Sequence, residues 1–157
     1  MRIVPVTEAH VQDLGRNLRA IDKREIMEAT GLSPRRGLLH SVNTSVTAYA
    51  ALQGSRVFAI YGCAKSPKRA DTGCPWLLGS PLLDTQQRRA LITVAPGAIQ
   101  EMHQMFPRLE NYVSAENYLA RRWLLWAGFQ MVEHVQHYGV QNRPFIRFVK
   151  EVSPCVQ

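Results

Sequence analysis

Two runs of β-branched, aromatic and small residues, separated by a glycine turn, constrain the fold of this sequence more than any other feature. The runs are SVTAYAALQ (residues 45–53) and RVFAIYGCA (residues 56–64), and Gly54-Ser55 lies between them. Strand-like runs joined by two residues that include a glycine predict an antiparallel β-hairpin. The chain must therefore contain a sheet with at least one antiparallel ladder.

The segment before the hairpin alternates between a strand pattern and helical patterns. RIVPV (residues 2–6) predicts a short strand, and Thr7 is a suitable N-cap for the helix that follows. A second helix should end at Gly31, and a third should begin at Ser33-Pro34. The inward apolar positions that we expect in these helices are Val11, Leu14, Leu18, Ile21, Ile26, Met27, Leu38, Leu39 and Val42.

The segment after the hairpin predicts a buried strand, helical structure and another strand. CPWLLGS (residues 74–80) is a short apolar run, and we expect Pro75 at the start of that strand, where no ladder donor is lost. Residues 84–94 are mostly helical in pattern. Pro96-Gly97 begins a clearer helix, whose inward residues should be Ile99, Met102, Met105 and Phe106. LENYVSA (residues 109–115) is a strand.

The end of the chain predicts one helix and two strands. NYLARRWLLWAGF (residues 117–129) is helical, and Leu119, Ala120, Trp123, Leu124 and Ala127 should form its packed face. QMVEHVQHYG and PFIRFVKEV then predict two strands. This order of elements indicates a mixed α/β fold, and 157 residues without repeats or linkers indicate one domain, residues 1–157.

The net charge limits the kinds of partner that the protein can bind, and the cysteine pattern limits the compartment in which it can work. A formal charge of +7, carried mostly by arginine, favours an anionic partner such as coenzyme phosphates, an acidic protein face or nucleic acid. Three widely spaced cysteines form neither a disulfide framework nor a zinc motif, which fits a reducing, cytoplasmic compartment and predicts no metal. No apolar run suffices for a signal peptide or a membrane span.

The common catalytic motifs do not occur in the sequence. His134 and His137 should point to opposite faces of a strand, so they cannot chelate a metal together. His40 and His103 have no visible partner for a catalytic triad. The glycines form neither GxGxxG nor GxxxxGK, which makes a dinucleotide enzyme or a Walker-type ATPase improbable.

The segment LENYVSAENYLARRWLLWAGFQ resembles the strand, helix and Gly-Phe strand entry of the GCN5-related N-acetyltransferase (GNAT) superfamily. Asn117, Ala120, Gly128 and Phe129 match the Asn-x-x-Ala, apolar helix and Gly-Phe pattern of that superfamily. The likeness is greatest to GNAT-like proteins of short-tailed phages, of the internal virion protein A type. It covers roughly residues 20–150 and implies a mixed, mostly antiparallel sheet, splayed near CPWLLGS, with helices on both faces.

The resemblance implies transfer of an acetyl group from acetyl-CoA to an amine. The pantetheine arm of the cofactor would lie beside Leu77, Leu78 and Gly79, with Asn117 orienting it and Arg121 or Arg122 reaching a phosphate. The implied partners are acetyl-CoA and an amine or protein acceptor. No catalytic residue follows from the resemblance, and Glu101, Glu116 and Glu133 are candidate bases only by being acidic.

Two departures from the superfamily pattern support an alternative function. Residues 78–98 lack the glycine-rich loop that binds the cofactor pyrophosphate, and Pro96 in that stretch has no N–H. Leu124 stands where active members often have a tyrosine that protonates the leaving thiolate. The alternative is a non-catalytic protein that binds a virion or host partner in an infected cell, and nucleic-acid binding, suggested by charge alone, is the weakest candidate.

Overall fold

The structure is a computed structural model that describes residues 1–83 and 85–152, except the side chain of Thr85. In chain order, the helices and strands are β1 (Arg2–Pro5), α1 (Glu8–Arg16), α2 (Ala20–Thr30), α3 (Pro34–Thr44), β2 (Ser45–Gln53), β3 (Arg56–Lys65), β4 (Thr72–Gly79), α4 (Thr85–Met105), β5 (Arg108–Ser114), α5 (Tyr118–Trp126), β6 (Gln130–Tyr138) and β7 (Arg143–Glu151).

The seven strands form one sheet in the order β1-β2-β3-β4-β5-β7-β6. Every neighbouring pair is antiparallel except β4 and β5, which are parallel. The predicted hairpin is confirmed as β2 and β3, whose register pairs Gln53 with Arg56 across the turn at Gly54. The predicted mixed, mostly antiparallel sheet is therefore confirmed, and its one parallel junction lies near its centre.

Helices cover both faces of the sheet, as predicted. On one face, apolar residues of α1, α2 and α3 pack on β2, β3 and β4 around the fully buried Leu14, Leu38 and Ile60. On the other face, the second half of α4 and helix α5 pack on β5 and β7 around Leu109 and Ile146. This arrangement encloses the central strands between two apolar layers.

Several local predictions from the sequence are confirmed at the helix ends. The Thr7 hydroxyl accepts a hydrogen bond from the His10 N–H and caps α1. Gly31 ends α2 in the left-handed conformation, with φ of 70°. No helix in the described ranges is both long and apolar enough to cross a membrane.

The predictions for residues 85–106 were wrong in two respects, and the first is that α4 runs without interruption through Pro96. Twenty-one residues of helix form despite the lost N–H, since Leu91, Ala95, Met102 and Phe106 bury apolar surface along the helix and just beyond its end. Met105, predicted to face inward, is exposed. Pro96-Gly97 thus lies in the middle of a helix and does not begin one.

The packed faces of α2 and α5 also differ from prediction. In α5, Leu124 is buried and Trp123 is partly buried, but Leu119 and Trp126 are 48% and 57% exposed. In α2, Met27 is exposed, whereas the acidic residues Asp22 and Glu28 are buried. Leu39 of α3 is exposed as well. The inward positions of α2 therefore carry polar side chains that an apolar stripe could not reveal.

Glycines in two helices should respond oppositely to substitution by alanine. A Cβ at Gly97 would meet nothing within 4 Å, whereas a Cβ at Gly37 would clash with the Ile26 side chain. We expect Gly97→Ala to raise the free energy of unfolding by about 0.5–1 kcal/mol. Gly37→Ala should lower it by about 1–3 kcal/mol. Urea denaturation measures both, and equal shifts in the two variants would contradict the packing of α2 on α3.

Candidate functional site

Strands β4 and β5 pair only at their first residues and then diverge. Their ladder consists of Thr72 opposite Arg108 and Gly73 opposite Leu109. Residues 74–79 of β4 and 110–114 of β5 have no ladder partner in the other strand. The carboxyl halves of the two strands therefore border a gap in the middle of the sheet, which we call the β4–β5 gap.

Pro75 and Asn111 account for the point at which the strands separate. Pro75 has no N–H, so β4 cannot donate a ladder bond there. The Asn111 side chain satisfies the neighbouring peptide groups instead, because its Nδ2 donates to the Pro75 carbonyl at 2.9 Å and its Oδ1 accepts from the Tyr112 N–H at 2.9 Å. Pro75 is the fourth residue of β4, so its predicted position at the start of the strand was wrong.

The alternation of the ladder shows which peptide groups face the gap. Ser80 donates its N–H to Phe58 of β3, and the Thr72 carbonyl accepts from Ser66, so even-numbered residues of β4 bond toward β3. Odd-numbered residues consequently direct their N–H and C=O groups toward β5. Leu77 is the odd-numbered residue at the middle of the gap, and its peptide groups face the gap with no ladder partner.

Helix α2 covers the end of the gap on the β4 side. Asp22 is 2% exposed, and its Oδ2 accepts from the Gly79 N–H at 2.8 Å. Arg19, the N-cap residue of α2, binds both oxygens of Asp22, at 2.8 and 2.9 Å, and donates its backbone N–H to the Gly79 carbonyl at 2.8 Å. Both gap-facing groups of Gly79 are thus already satisfied by the protein.

The next acidic residue of α2 covers the end of the gap on the β5 side. Glu25 Oε1 accepts from the Ser114 N–H at 3.1 Å and from Asn117 Nδ2 at 3.0 Å. Asn117 is buried, and its Oδ1 accepts from the Ala120 N–H at 3.2 Å, which caps α5. Residues three apart on a helix lie on the same face, so Asp22 and Glu25 together span the gap.

Burial raises the pKa of the Glu25 carboxyl above its ordinary value. The hydrogen bonds from Asn117 and Ser114 and the charge of Arg19 lower that pKa, and the charge of Asp22 raises it, but burial outweighs them. Asp22 forms an ion pair with Arg19. Glu25 forms no ion pair within residues 1–83 and 85–152, and its hydrogen-bond partners are Ser114 and Asn117. Glu25 is therefore a partly buried carboxyl group that two neutral donors hold at the gap.

The residues that the resemblance implies for cofactor binding lie around this gap, but most of their side chains or peptide groups already contact other parts of the protein. Leu77 presents peptide groups to the gap, whereas the Leu78 side chain is buried against the first three helices. Gly79 is bonded to α2, and both polar atoms of the Asn117 side chain are occupied. Arg121 donates to the Ala115 carbonyl at 2.7 Å and lies over the Tyr118 ring.

The acidic residues considered from the sequence are all engaged elsewhere. Glu101 accepts from the Tyr49 hydroxyl at 2.7 Å, Glu116 pairs with Arg24 at 2.9 Å, and Glu133 pairs with Arg147 at 2.9 Å. Sequence reasoning missed Asp22 and Glu25. Their signal was weak but present: Asp22 lies four residues before Ile26 and Glu25 four residues after Ile21, which places both acids next to the apolar positions of the predicted helix.

The connection between β4 and α4 is short and largely bonded to itself. Leu83 and Leu82 donate their N–H groups to the Ser80 carbonyl and hydroxyl, at 3.0 and 3.2 Å. Helix α4 begins at Thr85, so most of residues 78–98, the stretch that corresponds to the glycine-rich loop of the superfamily, is helix. Arg88 and Arg89 belong to the first turns of that helix, and Arg89 is exposed.

Two shallow grooves of about 500 and 550 Å³ lie away from the gap, near the end of β7. The first groove is lined by α4, α5 and the segment Lys150–Val152. It includes His103, whose Nε2 is buried without a hydrogen-bond partner. No group of three or more potential metal ligands occurs in the part of the chain that the structure describes.

The raised pKa of Glu25 predicts an unusual effect of pH on stability. The folded protein binds the Glu25 proton more tightly than the unfolded chain, so this group's contribution to stability decreases as pH rises through its folded pKa. Glu25→Gln removes that dependence. Thermal melts should therefore show the melting temperature of the variant rising relative to wild type between pH 4 and pH 8. A relative fall over that range would contradict the assignment.

Comparison with known proteins gives fold relatives without close sequence relatives. No family model matches the sequence, and no curated protein matches it. Solved structures do match along nearly the whole chain. The aminoglycoside 6'-acetyltransferase type Ii superposes with a TM-score of 0.74 at 13% identity, over 98% of this chain and 99% of that one.

Two further matches are an acetyltransferase assigned to the GNAT family and an acetyltransferase solved with CoA. An acetyltransferase of the GNAT family from Streptococcus pneumoniae matches with a TM-score of 0.60 at 11% identity, over 97% and 99% of the two chains. Spermidine N-acetyltransferase from Vibrio cholerae, solved with CoA and spermine, matches with a TM-score of 0.66 at 10% identity, over 96% and 94%. The chain therefore has the fold of the GNAT acetyltransferases that its sequence resembles.

Proposed function

We propose that this protein is an N-acetyltransferase that transfers an acetyl group from acetyl-CoA to an amine in the β4–β5 gap. The observation that carries the proposal is the unpaired edge of β4, where the peptide groups of Leu77 face an opening between two parallel strands. The shared fold supports the reaction class, because similar structures include acetyltransferases and a CoA complex.

The gap suits the pantetheine arm because that arm contains two amide groups in an extended chain. An extended ligand can add to an exposed strand edge through main-chain hydrogen bonds. Leu77 offers one N–H and one C=O in the gap, whereas Pro75 offers no N–H and Gly79 is bonded to Arg19 and Asp22. The cofactor amide would consequently pair with Leu77, and its thioester would lie beyond Leu77 on the side of Pro75 and Asn111.

The cofactor diphosphate would bind at the start of α4. The N-terminus of a helix attracts anions through its unpaired N–H groups and its dipole. Arg89 is exposed in the first turns of α4, and this region follows β4 directly. In this proposal Arg89 takes the phosphate role that the resemblance gives to Arg121, whose guanidinium already binds the Ala115 carbonyl.

A binding protein without catalysis is the second candidate, and the position of Leu124 favours it. Leu124 is buried in the apolar cluster between α5 and the sheet and cannot protonate a thiolate. This candidate predicts that acetyl-CoA is never consumed, whatever amine is added. In the first candidate, water protonates the thiolate, so turnover occurs without a tyrosine at position 124.

The phage-type role belongs to this proposal as well. The likeness of the PWLLGS and ENYV segments to proteins of short-tailed phages supports action in the cytoplasm of an infected host cell or in the virion. A virion or host protein would then be the acceptor or the binding partner. Mass spectrometry of purified virions tests packaging, and finding the protein only in the infected lysate would exclude a virion role.

Substitution of Leu77 by proline should remove the N–H that would bind the cofactor without disturbing the pairing of β4 with β3. The Leu77 N–H faces the gap and not β3, so Leu77→Pro keeps the β3–β4 ladder, as the native Pro75 does. Leu77→Ala removes the same side chain but keeps the N–H, and it is the matched control. Isothermal titration with acetyl-CoA should show at least tenfold weaker binding by Leu77→Pro than by Leu77→Ala.

The same titration on the wild-type protein tests the proposal as a whole. Saturable binding of acetyl-CoA, with thiol released when an amine is added, would support catalysis. Absence of heat and of any thermal shift at millimolar acetyl-CoA would contradict the proposed function. Equal affinities of the proline and alanine variants for acetyl-CoA would contradict a hydrogen bond between the cofactor and the Leu77 N–H.

A further inference from the structure

The end of helix α5 presents an apolar and basic surface to solvent that neither the core nor the β4–β5 gap uses. Leu124 is buried on the inward side of the helix, whereas Leu125 and Trp126 are 55% and 57% exposed. Arg122, one turn before Trp126, is exposed as well. Tryptophan and arginine are among the side chains enriched at protein–protein interfaces. This part of α5 is therefore a candidate interface.

Trp126 borders the groove of about 500 Å³ between α4 and α5, which we call the α4–α5 groove. Four lining residues lie on one side of α4 at helical positions i, i+3, i+4 and i+7, so the groove follows that helix for about two turns. The end of β7 forms its third side. The lining residues include Pro96, Ile99, Gln100, His103, Trp126 and Val152.

The α4–α5 groove is apolar along its sides, and a polar atom beneath it is not satisfied. Pro96, Ile99 and Val152 contribute apolar surface. His103 donates its Nδ1–H to the Phe106 carbonyl at 3.2 Å, and among the described residues its Nε2 is buried without a hydrogen-bond partner. Buried polar atoms are normally paired in a protein interior. The packing between α4 and α5 is thus incomplete at this groove.

The charges around the α4–α5 groove favour an acidic partner. Lys150 lines the groove, and its Nζ donates to the Ala127 carbonyl at 3.1 Å, which is a neutral acceptor. The ion pairs within residues 1–83 and 85–152 include neither Lys150 nor Arg122. Glu151 also lines the groove, but it is paired with Arg108. A complementary partner therefore carries acidic groups beside its apolar surface.

We propose that the α4–α5 groove binds an acidic amphipathic α-helix of another protein. The apolar stripe of that helix packs on Ile99, Trp126 and Val152. Its acidic residues lie toward Arg122 and Lys150. A groove bordered by two helices suits a third helix, because the side-chain ridges of one helix pack into the grooves of its neighbours.

Other occupants of the α4–α5 groove lack this complementarity. A two-fold contact with a second copy of the chain would place Arg122 and Lys150 against the same cations. The five residues that follow Val152, SPCVQ, contain no acidic side chain. The groove follows the second half of α4, whereas the proposed diphosphate site is at the start of that helix. Binding of the partner helix therefore does not depend on acetyl-CoA.

The probe for this inference is a phage-displayed library of helical peptides about four turns long, randomised along one face and selected on the immobilised full-length protein. We expect the enriched sequences to combine apolar residues at helical spacing with a negative net charge. Fluorescence anisotropy then measures the dissociation constant of the most enriched peptide. Trp126→Ala and Arg122→Glu should each weaken its binding about tenfold or more, as expected for interface anchors.

Two variants on the opposite face of the sheet are matched controls. Leu39→Ala shortens an exposed apolar side chain of α3, and Arg36→Glu reverses an exposed charge on the same helix. Both should bind the selected peptide within about twofold of wild type. All four substitutions are at exposed positions, so thermal melts should match wild type and exclude unfolding as the cause of weaker binding.

Several results would overturn the proposal. Enrichment no greater than on immobilised albumin, or enrichment of basic peptides, would contradict an acidic helical partner. Equal peptide affinity of Trp126→Ala and wild type would place the binding surface elsewhere. Wild-type dimers in sedimentation experiments that are lost in Trp126→Ala would assign the groove to a second copy. Enrichment that occurs only with the full-length variant Val156→Asp would assign the groove to residues 153–157.

Discussion

The separation of β4 from β5 is the feature on which the rest of this structure depends. Two parallel strands would ordinarily continue to pair, because each unpaired peptide group costs about 1–3 kcal/mol when it is buried. Here Pro75 removes one donor, and Asn111 satisfies the neighbouring groups through its side chain. Asp22 and Glu25 then satisfy Gly79 and Ser114 at the open end. The gap persists because side chains replace most of the missing backbone bonds.

Helix α2 serves both the fold and the candidate site. Its Ile26 packs in the core with α1 and α3, while its acidic residues reach the ends of two strands that do not meet. Loss of either acid would leave a strand N–H unpaired and would loosen one border of the gap. The same bonds fix the position of Glu25, so stability and the shape of the gap depend on one short helix.

Much of the fold followed from the sequence, because apolar periodicity and turn residues carry that information locally. The hairpin at Gly54, the cap at Thr7 and the stop at Gly31 each depend on a few neighbouring residues. The continuous helix through Pro96 could not be predicted this way, because tertiary packing of Leu91, Ala95 and Met102 outweighs the local cost of proline.

The site was harder to predict because its contacts are long-range. Asp22 reaches Gly79 and Glu25 reaches Ser114 across 57 and 89 positions of sequence, so no local pattern indicates them. The resemblance implies that Asn117 orients the cofactor, and in the structure its side chain bonds to Glu25 and to the Ala120 N–H of α5. Local sequence carries no record of the Glu25 bond, because its partners lie on separate elements.

The most direct test of this account is the response of the Leu77 amide to acetyl-CoA in solution. With all backbone amides labelled by ¹⁵N, the account predicts a saturable chemical-shift change at the Leu77 amide that is larger than the change at Gly79, whose N–H remains bonded to Asp22. A saturable response that spares Leu77 and appears instead at residues lining the groove near His103 would contradict it.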